Sequence, residues 1–298
     1  MESSESLRKA VAVTQELQAV VKTMKALAGV NIRQYERAAH AIAEYDRVVE
    51  MGLQVVLQRM RANAMPPLHP SGRKLGAVIF GSDQGMCGQL NDRVVSHAAR
   101  ALGKLAARRE SQVVLAVVGS RAAAQLDTLG RPAEAVIRVP WSTFGISTAV
   151  EEVLETIDDW YTKREIEFVV LFYARPVAGA WYRIRGIRLL PLDAEWINGL
   201  KARHWPSRVL PTFTMNETRL FRRLVREYLF VSLFRAFTES MSSENASRLA
   251  AMQMAERHID DHLQALTSES RRFRQTAITS ELLDIITSFE AMRGQEKY

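Results

Sequence analysis

Proline and glycine are both missing from residues 212–292, the last third of the chain. These two residues usually end or interrupt helices, so their absence predicts one continuous helix over this stretch. A helix of about 80 residues at about 1.5 Å per residue is about 120 Å long, whereas most helices have about three or four turns. Such a helix cannot be buried in one compact domain, and it therefore needs a second long helix or a surrounding partner.

Other absences narrow the class of protein. The single cysteine, Cys87, excludes an internal disulfide and fits a reducing compartment. No apolar run approaches the length of a membrane span, and the first ten residues resemble neither a secretory signal nor an Arg-rich transit leader. The 298 residues, 47% hydrophobic and 24% charged, are typical of one large domain or two ordinary ones. The formal charge of +7 favours an acidic protein surface, nucleic acid or anionic lipid without choosing among them.

Apolar residues recur at a period of seven over the first 60 residues, a stretch without proline. This period predicts a helix in a left-handed coiled coil, although the core positions of a helical bundle would give the same pattern. Prolines at positions 66, 67 and 70 end the helix. The first series of positions is Leu7, Thr14, Val21, Ala28, Tyr35, Ile42, Val49 and Val56, and the second is Ala10, Leu17, Met24, Asn31, Ala38, Tyr45 and Gly52.

Residues from about 73 to 205 alternate strand-sized apolar runs with amphipathic stretches. This alternation predicts a small α/β layer with a mainly parallel sheet. Arginines that alternate with apolar residues in the last run predict an edge strand with one solvated face. The predicted strands are 75–80, 113–118, 135–139, 168–173 and 182–190, and the predicted helices are 91–109, 121–129 and 147–163.

Both long helices attach to this middle domain, one entering and one leaving, so the simplest geometry is an antiparallel pair. The expected fold class is therefore α/β with long helices: an antiparallel two-helix coiled coil plus a central α/β domain. The predicted domains are residues 1–64, 73–205 and 208–298, and the last helix, longer by roughly 20 residues, should project beyond the first. Its predicted seam is Leu249, Met252, Ile259, Leu263, Leu266, Phe273 and Ala277.

The glycine-rich run 81–88 follows the first predicted strand and is the main candidate for a ligand site. Its backbone N–H groups would suit a phosphate, but the spacing fits neither the dinucleotide fingerprint nor the Gly-Lys-Ser/Thr motif. The other interpretation is a tight strand-to-helix turn capped by Asp83 or Asn91. Within it, Cys87 is interpreted as a buried small residue rather than a reactive thiolate.

The remaining polar clusters do not indicate a catalytic or metal site. His258 and His262 lie one helical turn apart, but a zincin needs Glu after the first His, and no third ligand is evident. Basic residues near both ends of the long helix are expected on solvated faces, unless a partner surrounds the helix and offers carboxylates to the planar guanidinium forks. These residues are Arg219, Arg222, Arg223, Arg226, Arg271, Arg272 and Arg274.

Four segments resemble motifs of the γ subunit of F-type ATP synthases, in that family's order. Residues 274–285, RQTAITSELLDI, are similar to its Arg-Gln-x-x-Ile-Thr-x-Glu-Leu-x-Glu-Ile signature, with Asp284 in place of Glu. Residues 244–252, 82–91 and 22–28 resemble its other motifs. The chain departs from the pattern, which indicates a divergent branch, at Gln84, Gln89 and Asn31, where the family commonly has Arg, Gly and Lys.

This resemblance implies a central rotor shaft, threaded through a ring of α and β subunits, with a Rossmann-like domain seated with the ε subunit on the membrane c-ring. Such a shaft has no catalytic residues, cofactor or metal of its own, and it couples the transport of hydrogen or other ions to ATP synthesis or hydrolysis on the β subunits. It implies a peripheral location on the cytoplasmic side of the bacterial inner membrane, with membrane contact only through the complex and no nucleic-acid partner.

Two alternative functions stay open: a nucleotide-binding α/β enzyme or sensor using residues 81–88, and a basic coiled-coil scaffold or nucleic-acid binder.

The matched motifs also imply roles for individual residues. The resemblance assigns contacts with the α and β subunits to Arg274, Gln275, Thr279, Glu281, Arg248 and Met24, and an apolar tip in the sleeve of the ring to Leu282, Ile285, Ile286 and Phe289.

Overall fold

A computed structural model describes residues 2–60, 74–109, 112–177 and 180–295 of the chain. The side chain of Phe289 lies outside this description. The chain divides into two compact units, one formed by residues 1–27 with 249–298 and the other by residues 28–248. Both long helices cross from one unit to the other.

Secondary structure follows the predicted alternation closely, with one helix that the sequence analysis did not predict. That helix, α5, begins after Asp193, whose carboxylate accepts the backbone N–H of Glu195 at 3.0 Å. The last helix begins at Glu217 rather than at residue 212, because Asn216 caps it by accepting the N–H of Thr218 at 3.0 Å. The helices are α1 (Glu2–Arg59), α2 (Leu90–Arg109), α3 (Ser120–Thr128), α4 (Ile146–Arg164), α5 (Ala194–Ala202) and α6 (Glu217–Gln295), with a 3₁₀ turn at Thr143–Gly145.

The strands form one five-stranded sheet in the order β3-β2-β1-β4-β5. The first four are mutually parallel, as predicted for a mainly parallel sheet. Strand β5 lies at the edge, as predicted, and the structure shows that it runs antiparallel to β4. The arginines of β5 are exposed at positions 183, 185 and 188, which confirms the solvated face. The strands are β1 (Lys74–Phe80), β2 (Gln112–Val118), β3 (Ala135–Ile137), β4 (Phe168–Val177) and β5 (Ala180–Leu190).

Helices cover both faces of the sheet in the unit of residues 28–248. On one face α2 and α3 pack against the strands, and their core includes Leu90 and Leu126. On the other face α4 and the neighbouring parts of α1 and α6 form a core that includes Tyr35, Trp160 and Phe237. The two long helices are thus part of the domain's own core, and the pattern of apolar residues explains why they form there.

The unit of residues 1–27 and 249–298 is an antiparallel helix pair. Val21 packs against Met252 and Ile259, the amide of Gln18 donates to Asp260, and Lys25 pairs with Glu256 at 2.5 Å. The predicted first series of seam positions is confirmed at Val21, Ala28, Tyr35, Val49 and Val56, which are all buried.

The predicted second series and the distal part of the α6 seam were partly wrong. Leu17 and Tyr45 are 51% and 43% exposed, because the second side of the seam falls one residue later, at Gln18 and Lys25, which make the polar contacts described above. On α6 the seam holds as far as Leu266, whereas Phe273 and Ala277 are exposed. Past that point the described residues offer α6 no apolar surface.

Gly119 joins β2 to α3 with a backbone φ of +104°, a conformation that favours glycine. A Cβ there would lie 2.7 Å from the backbone N and C of Ser82. We expect Gly119→Ala to lower the free energy of unfolding by about 2–3 kcal/mol, measured by denaturant titration. Gly103→Ala, on the exposed face of α2 with open space around it, is the matched control and should be neutral or slightly stabilising. Equal stability of the two variants would contradict this account of the turn.

Candidate partner-contact surfaces

The distal part of α6 is a bare helix. Every residue from 271 to 288 is exposed. A single helix without packing is marginal in water, and this one carries large apolar side chains that a monomer has no reason to expose. These side chains are Ile278 at 48% exposure, Leu282 at 55%, Leu283 at 56%, Ile285 at 64% and Ile286 at 51%.

The polar residues that the resemblance assigns to the ring lie on this bare segment. Gln275 and Thr279 are one turn apart and exposed, and the Thr279 hydroxyl donates to the backbone carbonyl of Gln275 at 2.8 Å. Arg274 and Glu281 are exposed and form no ion pair with any described residue. The structure places Gln275 and Thr279 beside Leu283 on one side of the helix, whereas Arg274 and Glu281 lie together on another side. It adds Ile278 and Leu283, which the sequence analysis did not select although their apolar character on an uncovered helix was visible.

Met24 lies in the helix pair of the same unit. It is partly buried against the cluster of Val21, Met252 and Ile259. Its neighbour Lys25 is held by Glu256. A thioether at this position is available to a partner only along the part of its surface that the helix pair leaves open.

Arg248 has a different environment in the unit of residues 28–248. The residue is only 8% exposed, and its Nη2 donates to Glu244 Oε1 at 2.6 Å and approaches the carbonyl of Gly85 at 3.5 Å. Its Nε has no acceptor among the described residues. Burial raises the pKa of Glu244 above its usual range, while the Arg248 guanidinium opposes that shift. The ion pair lies within α6, and it is the approach of the guanidinium to the Gly85 carbonyl that links α6 to the loop after β1.

The glycine-rich loop 81–88 is a strand-to-helix turn closed by the chain itself. Asn91 accepts the N–H of Ser82 at 3.0 Å, and the carboxylate of Asp83 accepts the N–H groups of Ser120 and Val139, each at 2.7 Å. These contacts confirm the capped-turn interpretation. The buried thiol of Cys87, 1% exposed, has its pKa raised chiefly by burial, so it is the inert small residue that was predicted.

Helix α6 occupies the position in which this kind of sheet would hold a nucleotide. In open α/β sheets ligands bind outside the carboxyl ends of the strands, beside the first strand-to-helix loop. Here Ser247 Oγ donates to the Cys87 carbonyl at 2.6 Å, and a Cβ on Gly88 would lie 3.2 Å from that hydroxyl. The alternative of a nucleotide-binding enzyme or sensor at residues 81–88 is therefore not favoured.

The described residues provide no metal site. No group of three or more His, Cys, Asp or Glu side chains in them is placed to hold a metal ion. His258 and His262 are exposed on α6, as predicted for a solvated face. None of the helices in the described part of the chain has the length of apolar sequence that crossing a bilayer requires. An antiparallel pair of long helices built into a Rossmann-like domain, with a bare helix end, defines a helical stalk protein.

Comparison with known proteins identifies the family. The family model described as ATP synthase matches residues 3–292. The ATP synthase gamma chain of Syntrophus aciditrophicus is 26% identical over 98% of this chain and 99% of its own length, and that of Azorhizobium caulinodans is 27% identical over 98% and 100%. This chain therefore belongs to the ATP synthase family, in which gamma chains are the non-catalytic central stalk.

Solved structures agree on the fold. A chain of the Euglena gracilis mitochondrial ATP synthase, in a structure of OSCP, F1 and the c-ring, superposes with a TM-score of 0.65 and 18% identity, over 100% of this chain and 97% of that one. A chain of the rotor of the same enzyme gives a TM-score of 0.58, over 93% and 99%. The long helices packed together around a central mixed sheet are thus the gamma-chain fold.

Proposed function

We propose that this chain is the central shaft of an F-type ATP synthase, turning inside a ring of α and β subunits. Its rotation couples ion flow through the membrane c-ring to ATP synthesis or hydrolysis on the β subunits. The observation that carries the proposal is the bare segment 271–288, which exposes apolar and polar side chains together and needs a surrounding partner. The functional division that we propose is shaft for residues 1–64 and 208–298, and foot for residues 73–205.

Differential contact explains how a shaft without catalytic residues directs catalysis. A ligand shifts an equilibrium between conformations only by as much as its affinities for them differ. A single helix presents a different set of side chains to each side, so the three β subunits of a ring meet different faces. Each rotational angle then stabilises a different nucleotide state in each β subunit.

The bare segment contains two kinds of contact. Gln275, Thr279, Arg274 and Glu281 offer hydrogen bonds and unpaired charges, which resist sliding because they are directional. Leu282, Ile285 and Ile286, with Phe289 beyond the described side chains, offer apolar surface without such direction. We assign the polar group to contacts that transmit torque and the apolar group to a sleeve in which the helix end turns.

Met24 and Arg248 are proposed contacts of another kind. Each is largely held within its own unit, Met24 by the helix pair and Arg248 by Glu244. We infer that they meet the ring through the limited surface that remains, and that Arg248 also acts by fixing the loop after β1 to α6.

The proposed partners also include the ε subunit and the c-ring, which the foot at residues 73–205 would contact. The two gamma chains compared above come from bacteria. We therefore assign the chain to the cytoplasmic side of the bacterial inner membrane, where it is peripheral and touches the membrane only through the complex. The basic scaffold or nucleic-acid binder is not favoured, because the family assignment and the bare segment account for the same features.

The double variant Gln275→Ala with Thr279→Ala tests the shaft assignment. We expect ATP-driven ion pumping per ATP hydrolysed to fall several-fold in reconstituted complexes, because about 1 kcal/mol is lost for each hydrogen bond that transmits torque. The thermal unfolding of the free chain should not change, since both side chains are exposed.

The matched control is Gln112→Ala with Thr162→Ala, two exposed residues of the foot, of which Thr162 makes the same bond to a carbonyl four residues earlier. This control should pump normally. Normal pumping in the Gln275 and Thr279 variant as well would remove these residues from the torque path. Failure of the wild-type chain to assemble with α and β subunits would refute the shaft itself.

A further inference from the structure

An open groove of about 580 Å³ lies between the first half of α2 and the edge strand β5. Three arginines line this groove: Arg93 and Arg100 from α2, and Arg183 from β5. All three are exposed, and none of them forms an ion pair with a described residue. Guanidinium groups that share a groove without carboxylate partners repel one another, so their arrangement favours an anion between them.

Helical spacing places the α2 residues of the groove on one face. Positions 93, 96, 97 and 100 recur at intervals of three and four residues, and all four line the groove. Arg93 and Arg100 are two turns apart, about 10 Å along the helix axis at about 1.5 Å per residue. The positive charge therefore extends along the groove instead of being concentrated at one point.

Two of the three arginines are held in place by the chain itself. The Arg93 guanidinium lies over the ring of Tyr182, 5.3 Å from its centroid. A guanidinium over a ring can still donate its N–H groups to an acceptor. The Arg100 Nε donates to the Ser96 backbone carbonyl at 3.2 Å, which leaves its two Nη groups for a ligand. Because these side chains are already ordered, less conformational entropy is lost when an anion binds.

The charges around the groove are not balanced within the described part of the chain. Arg183 is directly opposite Arg175 in the β4–β5 ladder, and like charges in such a pair are destabilising. Arg175 has a carboxylate, because its Nε lies 3.4 Å from Glu239 Oε2, whereas Arg183 has none among the described residues. The groove contains one carboxylate, that of Asp92, which accepts the side-chain amide of Gln125. Three arginines outnumber it, so the groove is positive, and a bound anion would offset the repulsion.

We propose that this groove binds a soluble polyphosphate, such as inorganic pyrophosphate or the phosphate chain of a nucleoside triphosphate. Arg93, Arg100 and Arg183 donate to the phosphate oxygens, and three cationic groups spread over a helix and a strand match several linked phosphates better than one. The groove is separate from the loop 81–88, which the chain's own contacts close. A shaft requires no such ligand, so the inference goes beyond the proposed function and does not depend on it.

Isothermal titration calorimetry on the full chain tests the proposal, with pyrophosphate, ATP and inorganic phosphate as ligands. We expect saturable one-to-one binding of pyrophosphate and ATP, and several-fold weaker binding of phosphate, because a single phosphate meets fewer guanidinium groups. Arg93→Gln with Arg183→Gln should weaken pyrophosphate binding by about tenfold or more. The control, Arg222→Gln with Arg223→Gln, removes the same number of charges from an exposed part of α6 and should bind normally.

Three results would overturn the proposal. The first is no saturable binding of pyrophosphate by the wild-type chain. The second is an equal loss in the two double variants, which would indicate general attraction to a basic protein. The third is tighter binding of phosphatidylglycerol vesicles or of an oligoglutamate peptide than of pyrophosphate, which would assign the groove to a membrane or to a protein partner. The shaft function is tested separately by ion pumping, and none of these results bears on it.

Thiol labelling locates the ligand without removing an arginine. The single native cysteine, Cys87, is 1% exposed, so iodoacetamide should react first with the exposed thiol that Ser96→Cys introduces into the groove. We expect saturating pyrophosphate to slow this labelling several-fold. Labelling of the control variant Thr162→Cys, exposed on α4, should not change. An unchanged rate at position 96 while pyrophosphate is bound would place the ligand elsewhere and refute the groove.

Discussion

Arg248→Ala should destabilise the unit of residues 28–248 by about 3–5 kcal/mol at neutral pH. The variant leaves the Glu244 carboxylate, only 6% exposed, without the guanidinium that lies 2.6 Å away in the native chain. Removing one partner of a buried pair costs more than the pair contributes, because the remaining charge is desolvated and unpaired. All five tryptophans lie within residues 28–248, so tryptophan fluorescence in denaturant titrations reports the stability of this unit.

The pH dependence of this loss separates the charge effect from a packing effect. Burial raises the pKa of Glu244 in the folded chain, so the folded state holds the proton more tightly than the unfolded state. The contribution of Glu244 to stability is therefore present at acid pH and is lost as the pH rises through the folded value. Without Arg248 that pKa rises further. The difference in the free energy of unfolding between variant and wild type should therefore be widest near pH 7, and it should become smaller as the pH falls towards the ordinary pKa of a glutamic acid.

Two further variants complete this test. Glu244→Gln in the Arg248→Ala background should recover most of the lost stability, because a neutral amide replaces the unpaired charge. Arg257→Ala removes an exposed arginine from the same helix and should change stability by less than about 0.5 kcal/mol. A loss for Arg248→Ala that is the same at both ends of the pH range would show that packing rather than the buried charge is responsible.

Much of the fold was predictable because each element has a clear local signal. The apolar runs at β1, β2 and β4 are short, continuous and buried, as strands of a parallel sheet covered on both faces must be. The absence of proline and glycine was sufficient to predict that α6 is one continuous helix, but its first residue, Glu217, is set by the Asn216 cap. The sequence analysis missed α5 because this helix is only nine residues long. The available signals were Asp193 at its N-cap and Glu195 in its first turn.

The candidate contact residues were less predictable, since exposure depends on tertiary packing. The motif match selected Arg248 together with Gln275 and Thr279, but a motif does not reveal that Arg248 is buried beside Glu244. The same holds for Asn31, which stands where the family commonly has Lys. Only the structure shows its partner, the Asn245 side chain, to which the Asn31 amide donates at 3.3 Å. The groove between α2 and β5 was not predictable either, because its arginines are far apart in the sequence and meet only through the fold of the sheet.

Phe237→Ala should lower the free energy of unfolding of the same unit by about 3–5 kcal/mol. Phe237 is 1% exposed on α6, and its ring meets that of Phe80 on β1 edge-to-face, with centroids 4.9 Å apart and an angle of 86° between the planes. Truncation leaves a cavity between the long helix and the sheet, and it removes both the transfer free energy and the ring contact. Denaturant titration followed by tryptophan fluorescence measures the loss.

Phe144→Ala is the matched control, because that ring is 93% exposed and its removal should change stability by less than about 0.5 kcal/mol. A double-mutant cycle with Phe80→Ala isolates the contact between the two rings, and we expect a coupling free energy of about 1 kcal/mol. If Phe237→Ala cost no more than Phe144→Ala, α6 would not be anchored to β1 through this ring. Since the proposed shaft and foot can turn together only if α6 is fixed to the sheet, a rotor would then have to transmit torque to its foot by another contact.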